Sequence, residues 1–587
     1  MGDGHAPWYK CKRRNLQTER LRVVESSVNA VSPRDSGSAS LAGHRLPAVV
    51  QRVLIIGLDG ATFDVIGPLM DEGWMPRLRE AVRGGASGIL CSTTPPITPA
   101  AWTTFLTGKQ PGSHGILDFE RYDPPTNTLR FNSTRTLEHV RNLWQILGDE
   151  GLRIGSVNVP MTYPASPVNG FLISGFETPD VAGDFVYPPE LRERILTQWP
   201  DPTLRASWKR RALGGDGVFA ANLDYICRSF DQGAAMTKFC GDQFGWDVLM
   251  VVLKLIDNLQ HKTWKYIDPR WSNRNPARRD LVKEAFGRAD RAVGELLDYA
   301  GRHRAAVLIV SDHGHGSLEG KVQPNLMLQR WGYLTLRGGG AQSATRARYL
   351  WARARGKTRK FSRDGDLARD LAVDFARTTA CVTHAGMAGF LYLNLEGRQP
   401  GGIVKPSDYE RIRDDLTSRF LGEECCATAP DGRRVGLFSE VHKPEELYRV
   451  RREDQPWLPD LMLTPRDGLA VVRRIRGGRV VRWLSLRNIE GTHRPEGILI
   501  ATGPGIARKQ SLRAHLVDCA PTLLAMLGLR IPEDMEGRVV TELFENPPVI
   551  ERAAPARAVT IHATGDAYTA GELEQVTARL SDLGYLE

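Results

Sequence analysis

Asp59, Asp257 and Asp312 each stand at or just past the end of an apolar run, in "RVLIIGLDG", "DVLMVVLKLID" and "AAVLIVSDHGHG". Two of them come with imidazoles. Asp257 and His261 are spaced i and i+4, which on a helical turn puts both side chains on one face, and Asp312 is followed directly by His313. His493 lies in "GTHRPEGILIATGPGI", in a loop marked by Gly and Pro ahead of a further apolar run. Carboxylate and imidazole together suit zinc and other borderline divalent metals, and there are enough of them here for two ions. A carboxylate after a strand can equally cap the next helix. Three at one sheet edge, two of them joined to histidines, favour a site.

Thr98, in "PPITPAAWTTFLTG", has two readings. Its oxygen can accept a bond from a free N–H of the helix that follows, with Pro99 suited to the first helical position. Alternatively the hydroxyl is a nucleophile held at a strand-to-helix turn and activated by a base or a metal ion. The local sequence leaves both open.

The elements that position these residues follow from periodicity. Continuous apolar runs ended by Asp or Gly read as strands buried on both faces, and helical patterns such as "LVKEAFGRADRAVGELLDYA" lie between them. Their alternation predicts an α/β fold with a mostly parallel central sheet flanked by helices on both faces. Ligands of such sheets bind beyond the carboxyl ends of the strands, the end at which the three aspartates fall.

A chain of 587 residues is long enough for a large α/β domain with a substantial insertion. Residues 1–48 are polar and without periodicity and read as a disordered tail. Residues 49–330 and 423–545 read as two parts of one core, with "DLMLTP" and "EGILIATGPGI" returning to complete the sheet. Residues 331–422 read as an inserted cap over the site edge, where it would shape substrate choice. A linker and a short amphipathic helix docked on the core are expected over 546–587.

The net charge of +10 is modest for this length, and no zinc-finger spacing or RNA-binding aromatic signature accompanies it, so no specific nucleic-acid binding is expected. Basic residues concentrate in Arg346 to Arg363, as a solvated helix face or a surface that attracts phosphates or anionic lipid. The eight cysteines are scattered without paired spacing, which fits a reducing compartment. No stretch approaches the roughly 18 to 20 apolar residues of a membrane span, and no signal-like run is present, so a soluble, cytoplasmic protein is expected.

Taken in order, "IIGLDGATFDVI", "ITPAAWTTFLTGKQPGSHGI", "LIDNLQH", "VSDHGHG" and "GTHRPEGILIATGPGI" resemble the alkaline phosphatase superfamily, and within it the type I phosphodiesterase/nucleotide pyrophosphatase group, over about residues 52 to 506. "DCAPTLLAMLGLRIPEDMEGR" resembles that group's closing helix and loop. The resemblance implies an alkaline phosphatase-like fold. It implies that Asp59, Thr98, Asp312 and His313 hold one divalent ion and that Asp257, His261 and His493 hold a second, Zn2+ or alternatively Mn2+. Thr98 would then be the nucleophile of a double displacement through a phosphothreonine, with ions about 4 Å apart clamping the phosphoryl charge. His315, two residues past the metal pair, stands outside this ligand set.

One departure concerns the substrate. Nucleotide pyrophosphatases carry an asparagine a few residues after "HGI" that bonds a phosphoryl oxygen, and "HGILDFERYDP" offers Phe119 near that place. Lys109 in "TGKQPGSHG" is the candidate to supply positive charge to the substrate, against the alternative of an exposed loop lysine. The implied function is a two-metal phosphoester hydrolase of small phosphorylated substrates, phosphodiesterase/nucleotide pyrophosphatase-like. Phosphomonoesters and phosphonates are the alternative substrates, and a non-catalytic polyanion-binding protein is the alternative from another class. A sulfatase would need Cys or Ser in a C/S-x-P-x-R setting where this chain has "ITPAA". Cofactor-independent phosphoglycerate mutases use serine, and phosphoethanolamine transferases normally carry a membrane domain.

Overall fold

The computed structural model describes residues 45–137, 139–202, 215–270, 275–337, 371–485, 488–555 and 567–583. Residues 1–44 of the tail expected over 1–48 and the basic stretch Arg346 to Arg363 lie outside the described residues, whereas the end of that tail is ordered against the core, the Leu46 N–H donating to the Gly528 carbonyl at 2.9 Å.

The strand Val53–Gly57 is buried at every position. Successive strand side chains point to opposite faces, so Leu54 and Ile56 enter one apolar core while Val53 and Ile55 enter a second across the sheet. The long helices Asp216–Phe244 and Pro276–Arg302 cover the first core. Thr98–Thr107, Leu143–Asp149 and Cys519–Met526 cover the second. This two-sided burial is why these strands read as unbroken apolar runs.

The central sheet has nine strands, in the order Lys509–His515, Ala86–Cys91, Glu496–Thr502, Ala306–Val310, Val53–Gly57, Val248–Val252, Ile154–Val159, Gly170–Ser174, Val186–Tyr187. Glu496–Thr502 and Val186–Tyr187 run antiparallel to their neighbours, and every other pairing is parallel. Gly57 is in register with Val252 on one side and Val310 on the other. The chain therefore leaves three adjacent strands at one edge, just ahead of Asp59, Asp257 and Asp312.

"DLMLTP" does not return to this sheet. Leu461–Pro465 belongs to a separate four-stranded antiparallel sheet with Ala380–Val382, Gly389–Leu393 and Phe438–His442, packed with helix Tyr409–Leu421 around its own apolar core. A short apolar strand fits any sheet that offers a ladder partner, and the residue before it decides which. Buried Asp460 accepts from the Leu393 N–H, Arg398 and Arg452, each at 2.6 Å, which fastens this strand to the smaller sheet. The second unit thus extends beyond residue 422.

Near the C-terminus, helix Ala570–Leu583 lays Val576 and Leu580 against Tyr163 and Phe176. Arg579 donates to the carbonyls of Phe176 and Pro179 at 2.5 and 2.8 Å. Among the described residues no helix is long and apolar enough to cross a membrane.

Candidate metal centre

Each site residue is placed by an identifiable device. Asp59 follows the central strand, and its Oδ2 accepts from Trp102 Nε1 at 3.1 Å, which ties the turn to the helix that Thr98 begins. Gly60 has φ +71, its N–H donates to Asp312 Oδ1 at 3.0 Å, and a Cβ there would lie 2.8 Å from His315 Nδ1. Only glycine fits so close an approach at that backbone angle. Asp257 is not at a strand end; it lies in the first turn of helix Leu255–Ile267, with His261 one turn further on. His493 lies on a strand, Glu490–Arg494, rather than in the expected loop. That strand pairs antiparallel with Gly314–Leu318 in a register that sets His493 opposite His315.

Four imidazoles are oriented in the same way. The Nδ1 atoms of His261, His493, His313 and His315 lie 2.8, 3.0, 3.0 and 3.1 Å from the carbonyls of Gly491, Pro96, Gly314 and Gly60. A carbonyl only accepts, so each Nδ1 carries the hydrogen, and in the neutral ring each Nε2 presents a lone pair. These Nε2 atoms converge. Those of His261, His315 and His493 are 3.2, 3.4 and 3.4 Å from Asp257 Oδ1. His313 Nε2 is 3.4 Å from both Thr98 Oγ1 and Asp312 Oδ2, and 3.9 Å from Asp59 Oδ1. All seven residues of the expected ligand set meet at one place. His315, left outside that set, meets them too, and Asp257 belongs both to the group with His261, His315 and His493 and to the group with Asp59 and His313.

The sequence reading missed a cation here. Lys254, buried one helical turn before Asp257, donates from Nζ to Asp257 Oδ2 at 2.5 Å and to Asp59 Oδ1 at 3.4 Å, and lies 5.1 Å from the centre of the Phe176 ring. Burial works against its ammonium, but Asp257 and Asp59 outweigh that and hold its pKa above the ordinary lysine value. Burial, reinforced by Asp312, raises Asp59 well above the carboxylate range, and burial pushes Asp312 up to about 7. For Asp257 burial is outweighed by Lys254 and His261, which hold it well below that range. Burial lowers His313 to about 4 and His493 to about 3, and takes His315 well below its ordinary value. These rings are therefore neutral at pH 7, the form that binds a metal.

This donor set fits divalent cations. Asp312 Oδ2 and His315 Nε2 are buried acceptors with no hydrogen-bond partner among the described residues. Acceptors facing other acceptors in a dry site are costly unless a cation is shared between them. Carboxylate oxygen and imidazole nitrogen are the zinc donors.

The capping reading of Thr98 does not hold. The cap position belongs to Ile97, which makes no side-chain cap bond, and Thr98 is the first helical residue, with its oxygen toward His313. Lys109 is not turned to a substrate: its Nζ is paired with Asp534 Oδ2 at 2.6 Å and with the Asp534 carbonyl at 2.9 Å, a partner 425 residues away that no local pattern reveals. Phe119 is buried edge-on against Phe176, with ring centres 5.8 Å apart. Signals for the two missed residues did exist. Lys254 interrupts an apolar run three residues before Asp257, on the same helix face, and His315 stands two residues from His313 in an extended segment.

A family model described as type I phosphodiesterase/nucleotide pyrophosphatase matches residues 53–496. Among solved structures, the chain is similar to murine ectonucleotide pyrophosphatase/phosphodiesterase 5, in an inactive form in complex with AMP, at 12% identity over 82% of this chain and 96% of that one, with a TM-score of 0.45. It is also similar to phosphonoacetate hydrolase from Sinorhizobium meliloti 1021 in complex with phosphonoformate, at 16% identity over 82% of this chain and 96% of that one, with a TM-score of 0.47. No curated protein matches.

Proposed function

Because the chain belongs to the type I phosphodiesterase/nucleotide pyrophosphatase family of the alkaline phosphatase superfamily, we propose that it hydrolyses phosphoric esters with Thr98 as nucleophile and two divalent metal ions, zinc or manganese, as cofactors. The observation that carries this reading is the convergence of four imidazole Nε2 atoms with three buried carboxylates, one of those imidazoles, His313, lying 3.4 Å from the Thr98 hydroxyl.

Asp59, Asp312 and His313, with Thr98, would hold one ion, and Asp257, His261 and His493 the other. When bound, the ions supply positive charge for the phosphoryl oxygens and lower the pKa of a coordinated hydroxyl. The chain does the rest. Thr98 Oγ loses its proton to solvent as it bonds to phosphorus, and the P–O bond to the leaving group breaks on the opposite side, the departing oxygen keeping the electron pair and taking up a proton from solvent. Water then cleaves the Oγ–P bond, its oxygen staying on phosphorus and one of its protons passing to Thr98, which releases phosphate from a monoester or a phosphomonoester from a diester. The N-terminal end of the ten-residue helix Thr98–Thr107 points the positive end of its dipole at the phosphoryl group. From the second unit, the Tyr448 hydroxyl donates to the Thr94 carbonyl just ahead of Thr98, which supports its reading as a cap over the site.

The family's description favours a phosphodiester or the phosphoanhydride of a nucleotide pyrophosphate. Phosphomonoesters and phosphonates are a second reading, favoured by the apolar Phe119 where a neutral donor to a phosphoryl oxygen would stand. A reducing, cytoplasmic location is part of the proposal, resting on the scattered spacing of the cysteines in the sequence. The test is hydrolysis of an aryl phosphodiester, an aryl phosphomonoester and a phosphonate ester by chelated protein with zinc or manganese added back. Turnover that survives complete metal removal, or metal-loaded protein inert toward all three, overturns the reading.

A further inference from the structure

We infer that Lys254 sets the charge of this centre so that it takes doubly charged phosphoryl groups, those of phosphomonoesters and phosphonates, in preference to singly charged diesters. The inference rests on the phosphohydrolase reading above and names its substrate class.

The argument begins with what Lys254 touches. Its ammonium bonds Asp257 Oδ2 and Asp59 Oδ1, two carboxylates assigned to the two ion sites, and its other face lies on the Phe176 ring. It is buried, so it cannot swing out to solvent as a surface lysine does. As ligands of divalent ions Asp59, Asp257 and Asp312 would be ionised, and with Thr98 still protonated two divalent ions would exceed their three negative charges by one. Lys254 raises the excess to two, which matches a phosphoryl dianion and overshoots a diester monoanion.

Nor is this charge well screened. Phe119 packs on Phe176, and Phe176 on Lys254, so an apolar wall stands on this side of the centre. The ammonium is close to the reacting end: Asp59 Oδ1 touches it, His313 Nε2 is 3.9 Å from that oxygen, and Thr98 Oγ1 is 3.4 Å from His313 Nε2. One fixed charge within about 10 Å of the phosphoryl group, at an effective dielectric of about 20, changes affinity on the order of tenfold for each further negative charge on the ligand. The same Phe119 removes the neutral donor that would serve either kind of substrate equally, so discrimination is left to charge.

The experiment compares wild type, Lys254→Met and Lys254→Arg, each with its metal content measured, at about pH 8, where a phosphomonoester has lost its second proton. Rates are read for p-nitrophenyl phosphate against bis-p-nitrophenyl phosphate. Calorimetry reads the binding of inorganic phosphate against dimethyl phosphate, which needs no turnover. Wild type is expected to favour the dianion in both. Lys254→Met should lower both preference ratios on the order of tenfold, and Lys254→Arg should restore them. Ratios unchanged in metal-replete Lys254→Met overturn the inference. A wild-type preference for the monoanion overturns it too, and needs no variant to fold. Wild type inert toward both esters would instead count against the phosphohydrolase reading, while the binding ratios would still decide the role of Lys254.

Discussion

His261 and His493 face each other nitrogen to nitrogen, their Nε2 atoms 3.0 Å apart although 232 residues separate them in the chain. Each has committed its Nδ1 hydrogen to a main-chain carbonyl. Both Nε2 atoms therefore face one another beside the carboxylate of Asp257, 3.2 and 3.4 Å from its Oδ1, a donor group that a shared cation would hold together. Metal removal should therefore abolish turnover and lower thermal stability, and stability should return in proportion to added zinc or manganese. In His493→Ala one ion should bind at least about tenfold more weakly than in wild type, a loss of about 1.4 kcal/mol, while the other is retained. Two full equivalents held with wild-type affinity by that variant would refute the assignment.

His315 repeats the geometry of the expected ligands, with Nδ1 on the Gly60 carbonyl and Nε2 toward Asp257. His315→Ala should weaken the same ion as His493→Ala and leave the other unaffected. In cobalt-substituted protein it should also change the visible spectrum, which reports the ligand set. An unchanged spectrum would leave His315 as a neighbour rather than a ligand.

Thr98 caps no helix, so its removal should cost little stability. Thr98→Ala should lose less than the roughly 0.5 to 2 kcal/mol of a true N-cap, keep its metal, and lose activity by orders of magnitude. Thr98→Ser should retain part of the rate. Two in-line displacements invert phosphorus twice, so a chiral substrate should be turned over with net retention. Net inversion, or near-normal turnover by the alanine variant, would remove Thr98 from the chemistry.

Asp118 is buried where Phe119 turns into the core, with Oδ1 accepting the Phe119 N–H at 2.6 Å, and burial pushes its pKa up to about 8 from 3.8. The folded state thus keeps a proton that the unfolded chain releases above pH 3.8. The stability this residue permits is complete below that value and is lost as pH rises through about 8. Asp118→Asn keeps an acceptor for the Phe119 N–H but cannot ionise. Its stability relative to wild type should rise between about pH 5 and about pH 8, read from denaturation midpoints. A constant difference across that window would show that Asp118 does not titrate this way.

Asp460 is the charge on which the second unit is fastened, since it receives Arg398, Arg452, Tyr409 and the Leu393 N–H together. Asp460→Ala leaves Arg398 without its carboxylate and Arg452 with only Glu445 at 3.9 Å, and should destabilise that unit by about 3 kcal/mol, seen as an early transition in chemical denaturation. A loss below about 1 kcal/mol would mean that the small sheet holds Leu461–Pro465 without it.

The fold class and most of the centre were legible in the chain because their signals are local. An apolar run that ends in Asp and Gly needs only its own residues to mark a strand buried on both faces, and the i, i+4 spacing of Asp257 and His261 needs only one turn of helix. The ordered motifs then tied these places to one family. Other features were settled at long range. His315 stands opposite His493 because of the register between two strands far apart in sequence. Lys109 is withdrawn from the site by Asp534, "DLMLTP" joins the smaller sheet through the partners of Asp460, and Lys254 meets, besides its helix neighbour Asp257, the carboxylate of Asp59 from 195 residues away. Periodicity is fixed by neighbours a few residues away, whereas register and charge compensation depend on which distant groups the packed core brings within a few ångströms, and only the tertiary structure decides that.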